Sequence, residues 1–283
     1  MKQNKDLSII NCLAASFTAF FFTVPFHEFL HLLTHVIYGD KLLCYSAGAV
    51  DAVSPDYSTM SVFDTIMDAG GSASIINAIL GIILLIVLLK VSMSPLMRVF
   101  LTMLMGGQFV QGIGYFMIGG FFAAGDWGAV YKQLADHPGL ITGLRITLSL
   151  IGSLGIMALF FILNYMSYYF IEDKNDKSEK LYVAFRLHLI MFIVGIVIGI
   201  AGTMTSPFVK TGELSFGLAL LYNMMWIPFF WGFMFTGVMN VLPPKESRFL
   251  YKLPQKPNWL FFVFGLILVL IDIFIFGPGI FFN

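Results

Sequence analysis

The sequence predicts an all-α polytopic membrane protein of about seven transmembrane helices. Three observations carry that prediction. Of 283 residues, 58% are hydrophobic and 11% charged, with a mean hydropathy of +0.87, against roughly 25% charged in soluble domains. Seven apolar segments each reach the roughly 17–25 residues that a bilayer demands, some with excess length that implies tilt or protrusion. Lys and Arg in the connections alternate: twelve fall on one side of the spans and four, Lys41, Lys132, Arg145 and Lys210, on the other. By the positive-inside rule this places the N-terminus in the cytoplasm and the C-terminus outside a cell membrane. A formal net charge of zero offers no footprint for nucleic acid, so the expected partners are the lipid bilayer and membrane-associated segments.

The first span, Leu7–Tyr38, follows Lys2 and Lys5, as in a secretion signal. Its apolar run exceeds the roughly 7–15 residues of a signal core, so it is expected to be retained. Its second half reads VPFHEFLHLLTHVIY, from Val24 to Tyr38, and carries four ionisable side chains within nine residues: His27, Glu28, His31 and His35. Each costs roughly 2.5–3.5 kcal/mol at the centre of a membrane helix, which makes such residues functional candidates. His27-Glu28-Phe29-Leu30-His31 is an H-E-x-x-H pattern, whose i, i+4 spacing brings two imidazoles onto one helix face, where they can share a zinc ion. Glu28 points about 100° around the helix, within reach of a water at that ion, and is placed as a general base. The competing reading is a hydrogen-bonded polar cluster joining helices, with His35 an interfacial histidine.

The connection Gly39 to Gly70 carries Asp40, Asp51, Asp56, Asp64 and Asp68 against one lysine. Its Leu42–Val53 portion suits a small β-hairpin at the membrane rim, whose free edge would accept an extended peptide; an ordinary surface loop is the alternative. The second span, Gly71–Val91, begins amid small residues, Ala69-Gly70-Gly71-Ser72-Ala73-Ser74, that allow close packing against a neighbour such as the motif helix. Asn77 then hydrogen-bonds either a substrate backbone or another helix. In the third span, Pro95–Phe122, Gln108 and Gln111 read as packing polar groups. Asp126 follows in a glycine-flanked turn with the freedom to point back at the bundle.

The remaining spans are Leu140–Ile171, Leu181–Thr205, Leu214–Leu242 and Trp259–Phe276, with Pro243-Pro244 stopping the third of these. Asn164, Arg186, His188, Asn223, Asn240 and Asp272 are scattered through them and read mostly as interfacial or interhelical hydrogen-bonding groups. The expected organisation is a core over residues 1–139, with three spans, and four additional helices over residues 140–283.

Together, HEFLH, Ala69-Gly70-Gly71 followed by Asn77, and Gly125-Asp126 resemble the site-2 protease-like family of intramembrane zinc metallopeptidases, over roughly Phe20 to Val130. The resemblance implies a three-helix core, Zn2+ held by His27, His31 and Asp126, and a water activated by Glu28. The implied reaction is hydrolysis of a peptide bond in a transmembrane or membrane-associated substrate. The chain departs from the family pattern in lacking the proline of its AGP element and in carrying GDW where LDG or PDG is usual. His35 is a poor rival for the same ion, because on a straight helix it lies about 12 Å along the axis from His27, with His31 between.

Two other classes remain open at this level. A histidine-box diiron oxygenase also uses H-x-x-x-H spacing, but five histidines in the whole chain are too few without many carboxylates. A non-catalytic membrane protein, either a transporter or a degenerate protease that binds membrane segments, is separated from the enzyme by metal content and by the effect of removing Glu28.

Overall fold

The computed structural model describes residues 8–53, 56–211, 217, 222–239 and 256–282. The chain is an all-α polytopic membrane protein. Among the described residues six helices are long and apolar enough to cross a bilayer: Ile9–Tyr38, Val62–Lys90, Pro95–Phe122, Pro138–Phe170, Lys177–Thr205 and Trp259–Phe276. A shorter apolar helix, Met224–Val238, falls within the expected Leu214–Leu242 span. The rest of that span is partly outside the described residues, as are Asn240, Pro243-Pro244 and the Lys2, Lys5, Lys245, Arg248 and Lys252 of the charge count.

The first span is not one straight helix. A helix over Ile9–Phe21 ends at Phe22, and the motif helix starts at Val24 with Pro25 in its first turn. Proline has no N–H to give and its ring crowds the carbonyl four residues back, so the axis breaks there. The broken end is satisfied from outside: Gln108 donates its Nε2 to the Phe22 carbonyl at 2.6 Å, and accepts from Asn77 Nδ2 on its own Oε1 at 2.8 Å. One hydrogen-bonded chain thus ties the second and third spans to the bend in the first. The Ile9–Phe21 helix packs against the last span, where Phe17 meets Phe262 at 5.9 Å between ring centres. Among the described residues a buried apolar cluster runs from Cys12 in the first span to Val269 in the last.

The motif helix stops at Gly39, whose φ of +83° suits the residue without a Cβ. The chain then forms the expected hairpin, strand β1 (Lys41–Ser46) paired antiparallel with strand β2 (Ala49–Val53), with an irregularity between Leu42 and Cys44. A third strand, β3 (Ile280–Phe281), comes from the far end of the chain and pairs with β1, giving the order β2-β1-β3. Among the described residues β2 is therefore an edge strand. Tyr45 donates its hydroxyl to the Pro25 carbonyl at 2.9 Å, which pins the sheet to the start of the motif helix.

The second span's main helix, Ser72–Lys90, matches the expected Gly71–Val91. A short helix from Val62 precedes it and joins it across a kink at Gly70, φ +141°, within the wide π turn Met67–Gly71 at the small-residue stretch. That stretch is packed from two sides, as its composition leads one to expect. Thr34 of the motif helix donates to Ser72 Oγ at 2.9 Å, and the Trp127 indole donates to Ser74 Oγ at 3.1 Å.

Candidate metal centre

Within the motif helix, the four-residue spacing does what helix geometry requires. The Nε2 atoms of His27 and His31 stand 3.3 Å apart, with the rings edge-on to one another. The third donor arrives across the bundle. After Phe122 the chain reverses through Ala123 at φ +50° and Gly125 at φ +64°, and a short helix, Asp126–Gln133, starts at the aspartate. This turn aims the carboxylate back at the histidines: Asp126 Oδ2 lies 3.1 Å from His27 Nε2 and 3.4 Å from His31 Nε2.

These three separations fit a metal ion. A tetrahedral zinc with bonds of about 2.0–2.1 Å has donor-to-donor edges of about 3.3–3.4 Å, and the observed edges are 3.1, 3.3 and 3.4 Å. Two imidazoles and one carboxylate are also the donor types zinc takes, leaving a fourth position for water or substrate. The electrostatics agree. Burial alone would raise the Asp126 carboxyl, but the His31 and His27 rings outweigh it and hold the group well below the usual carboxylate range.

The surroundings fix the rings. His27 is fully buried and stacks on Tyr115, with ring centres 4.7 Å apart and planes 21° apart. Its Nδ1 is buried without a hydrogen-bond partner, so its polar engagement is through the Nε2 that faces Asp126. Glu28, next along the helix, is buried and lines two neighbouring spaces. One is a cleft of about 370 Å³ shared with His31, Asp126 and the Gly48–Val50 edge of the hairpin. The other is a smaller inner cavity of about 50 Å³ bounded by Gln111, Thr203, Asn223 and Asp272. Tyr115 and Tyr222 line both.

The structure thus brings together His27, Glu28, His31 and Asp126. It does not bring Asn77 into that group: expected as a contact for substrate, it is fully buried and donates to Gln108, the interhelical alternative. His35 borders the same cleft but its Nδ1 faces Asp40 and Asp68. Sequence reasoning passed over Tyr115 and Tyr222, which carry no signal at that level. It also set aside Gln111 as packing and Asp272 as an interhelical group. For Asp272 the signal was present, an ionisable residue inside an apolar span, and it now borders the cavity behind Glu28. His188, by contrast, is buried and hydrogen-bonded to Ser167 of another span, the structural role expected of it. Comparison with protein-family models, with curated proteins and with solved structures finds no match for this chain.

Proposed function

We propose that this protein is a membrane-embedded, zinc-dependent endopeptidase that cleaves a transmembrane or membrane-associated protein substrate. The observation that carries the reading is the convergence of His27 Nε2, His31 Nε2 and Asp126 Oδ2 with mutual separations of 3.1–3.4 Å, beside a buried carboxylate, Glu28, that lines the same cleft. His27, His31 and Asp126 would hold the ion, which when bound polarises a peptide carbonyl and makes water acidic enough to be deprotonated near neutral pH.

The chain's own residues supply the rest. Glu28 takes a proton from the attacking water as its oxygen bonds to the carbonyl carbon. The same carboxyl then returns that proton to the departing amide nitrogen as the C–N bond breaks. Tyr115 holds the His27 ring through its stacked face. The β2 edge at Ala49 and Val50, which borders the cleft, accepts the substrate as an added strand through backbone hydrogen bonds. A transmembrane helix must unwind to present a peptide bond, and an edge strand recovers the hydrogen bonds that unwinding loses. The Lys and Arg distribution supports a cell-membrane orientation with the N-terminus in the cytoplasm and this site toward the outer face.

The test is cleavage of a panel of single-span transmembrane peptides in proteoliposomes, read by mass spectrometry, with Glu28→Gln protein as the comparison. General-base catalysis contributes roughly 10²–10⁴ in rate, so the variant is expected to lose cleavage on that scale while keeping its zinc. Equal cleavage by both proteins removes Glu28 as the base. Zinc loss in the variant makes it structural.

A further inference from the structure

One turn beyond His31 on the motif helix, a second group of metal-binding side chains comes together from three separate elements. His35 lies in the last turn of that helix, Asp40 just after its Gly39 terminus, and Asp68 in the π turn Met67–Gly71 of the second span. His35 Nδ1 is 2.6 Å from Asp40 Oδ2 and 3.4 Å from Asp68 Oδ1, and one donor atom from each residue lies within 4.8 Å of the others. A hydrogen bond between His35 and Asp40 accounts for that pair but not for Asp68. The Asp68 side chain is 1% exposed, and neither of its carboxylate oxygens has a hydrogen-bond partner. The Asp68 carboxylate is therefore buried with the His35 ring 3.4 Å away but no hydrogen bond to either oxygen, which is unfavourable for an ionised group.

We propose that His35, Asp40 and Asp68 form a second divalent-cation site, with a mixed imidazole and carboxylate donor set suited to Zn2+, separate from the His27, His31 and Asp126 centre. Binding displaces the proton shared by His35 and Asp40 to solvent and sets a divalent charge against the Asp68 oxygens, which have no hydrogen bond. Four residues of helix correspond to a rise of about 6 Å. That is beyond the roughly 3.5–4 Å of a co-catalytic metal pair, so the second ion is a brace: it clamps the end of the motif helix and the start of the hairpin to the π turn. That turn also carries Gly70, which packs directly against Asp126.

The experiment is zinc titration of the detergent-solubilised full-length protein after chelator treatment, with bound metal counted by mass spectrometry. Gel filtration and a thermal midpoint establish that each variant is folded. Wild-type protein is expected to bind two zinc ions per chain at saturation. Asp68→Asn, which keeps the shape of the side chain, is expected to bind one, with Asp40→Asn as a second variant should the first fail to fold. His31→Ala removes the other equivalent. The proposal is overturned if folded Asp68→Asn and Asp40→Asn proteins bind as many ions as wild type, in which case the cluster is a hydrogen-bonded ion triad only. A single wild-type equivalent that survives in Asp68→Asn but not in His31→Ala overturns it equally. A single equivalent lost in Asp68→Asn and kept in His31→Ala upholds this site and instead removes the catalytic reading of the first.

Discussion

Gly70 backs directly onto Asp126: a Cβ at Gly70 would lie 2.8 Å from the Asp126 carbonyl oxygen and 3.0 Å from its Cα. Gly70 also has a φ of +141°, a backbone region that side-chain-bearing residues avoid. The aspartate of the candidate centre is therefore held in place by the absence of a side chain on the second span. Gly70→Ala is expected to push Asp126 away from the histidines and to strain the turn by about 1–3 kcal/mol. Zinc affinity should fall by about tenfold or more, measured by competition with a chelating dye. Unchanged affinity in a folded variant would show that Asp126 is positioned without this contact.

Among the described residues Asp126 supplies the only donor to that centre from outside the motif helix, so metal binding and helix packing are coupled through it. Asp126→Ala is expected to reduce zinc affinity at the His27–His31 centre by more than the roughly 10–100-fold typical of losing an outer partner. It should also lower the thermal midpoint of the zinc-loaded protein. His35→Ala should leave this centre filled. The opposite order of losses in a zinc titration would make His35 the ligand.

The edge position of β2 gives the substrate model a local test. Prolines placed singly through Ala49–Val53 remove one backbone N–H each. Where that N–H faces outward from β1, cleavage of a transmembrane peptide should slow by roughly 3–10-fold, the equivalent of about one backbone hydrogen bond. Zinc content should not change. Full activity across the scan would remove the added-strand model.

Orientation is tested by labelling. Lys132, in the short helix after the third span, and Lys177, at the start of the Lys177–Thr205 helix, are both exposed, and they fall on opposite sides in the charge count. A cysteine at position 132 is expected to react with a membrane-impermeant maleimide applied to intact cells, and one at position 177 only after permeabilisation. The reversed pattern would turn the candidate centre toward the cytoplasm.

The membrane architecture was legible in the chain because bilayer insertion is decided by composition over some twenty residues, a local property. Third and last spans were read to their ends for that reason, Pro95–Phe122 and Trp259–Phe276. The His27–His31 pair was legible for a similar reason, since an i, i+4 spacing has one geometric outcome on a helix. The hairpin at Leu42–Val53 followed from β-compatible residues between turn signals. Its third strand did not, because two residues at Ile280–Phe281 carry no pattern long enough to read.

What the sequence by itself determined is which segments are helices in lipid and which side chains sit one turn apart within them. Only the tertiary structure decided which distant residues meet. The approach of Asp126 to His27 depends on Ala123 and Gly125 reversing the chain and on Gly70 leaving room. Asn77 closes on Gln108 because the Pro25 bend exposes the Phe22 carbonyl that Gln108 must satisfy. His35 meets Asp68 through a π turn placed by the packing of Ser72 and Ser74 against two other elements. These contacts join residues more than thirty positions apart, so they depend on how helices pack and turns close, and no local pattern in the chain encodes that.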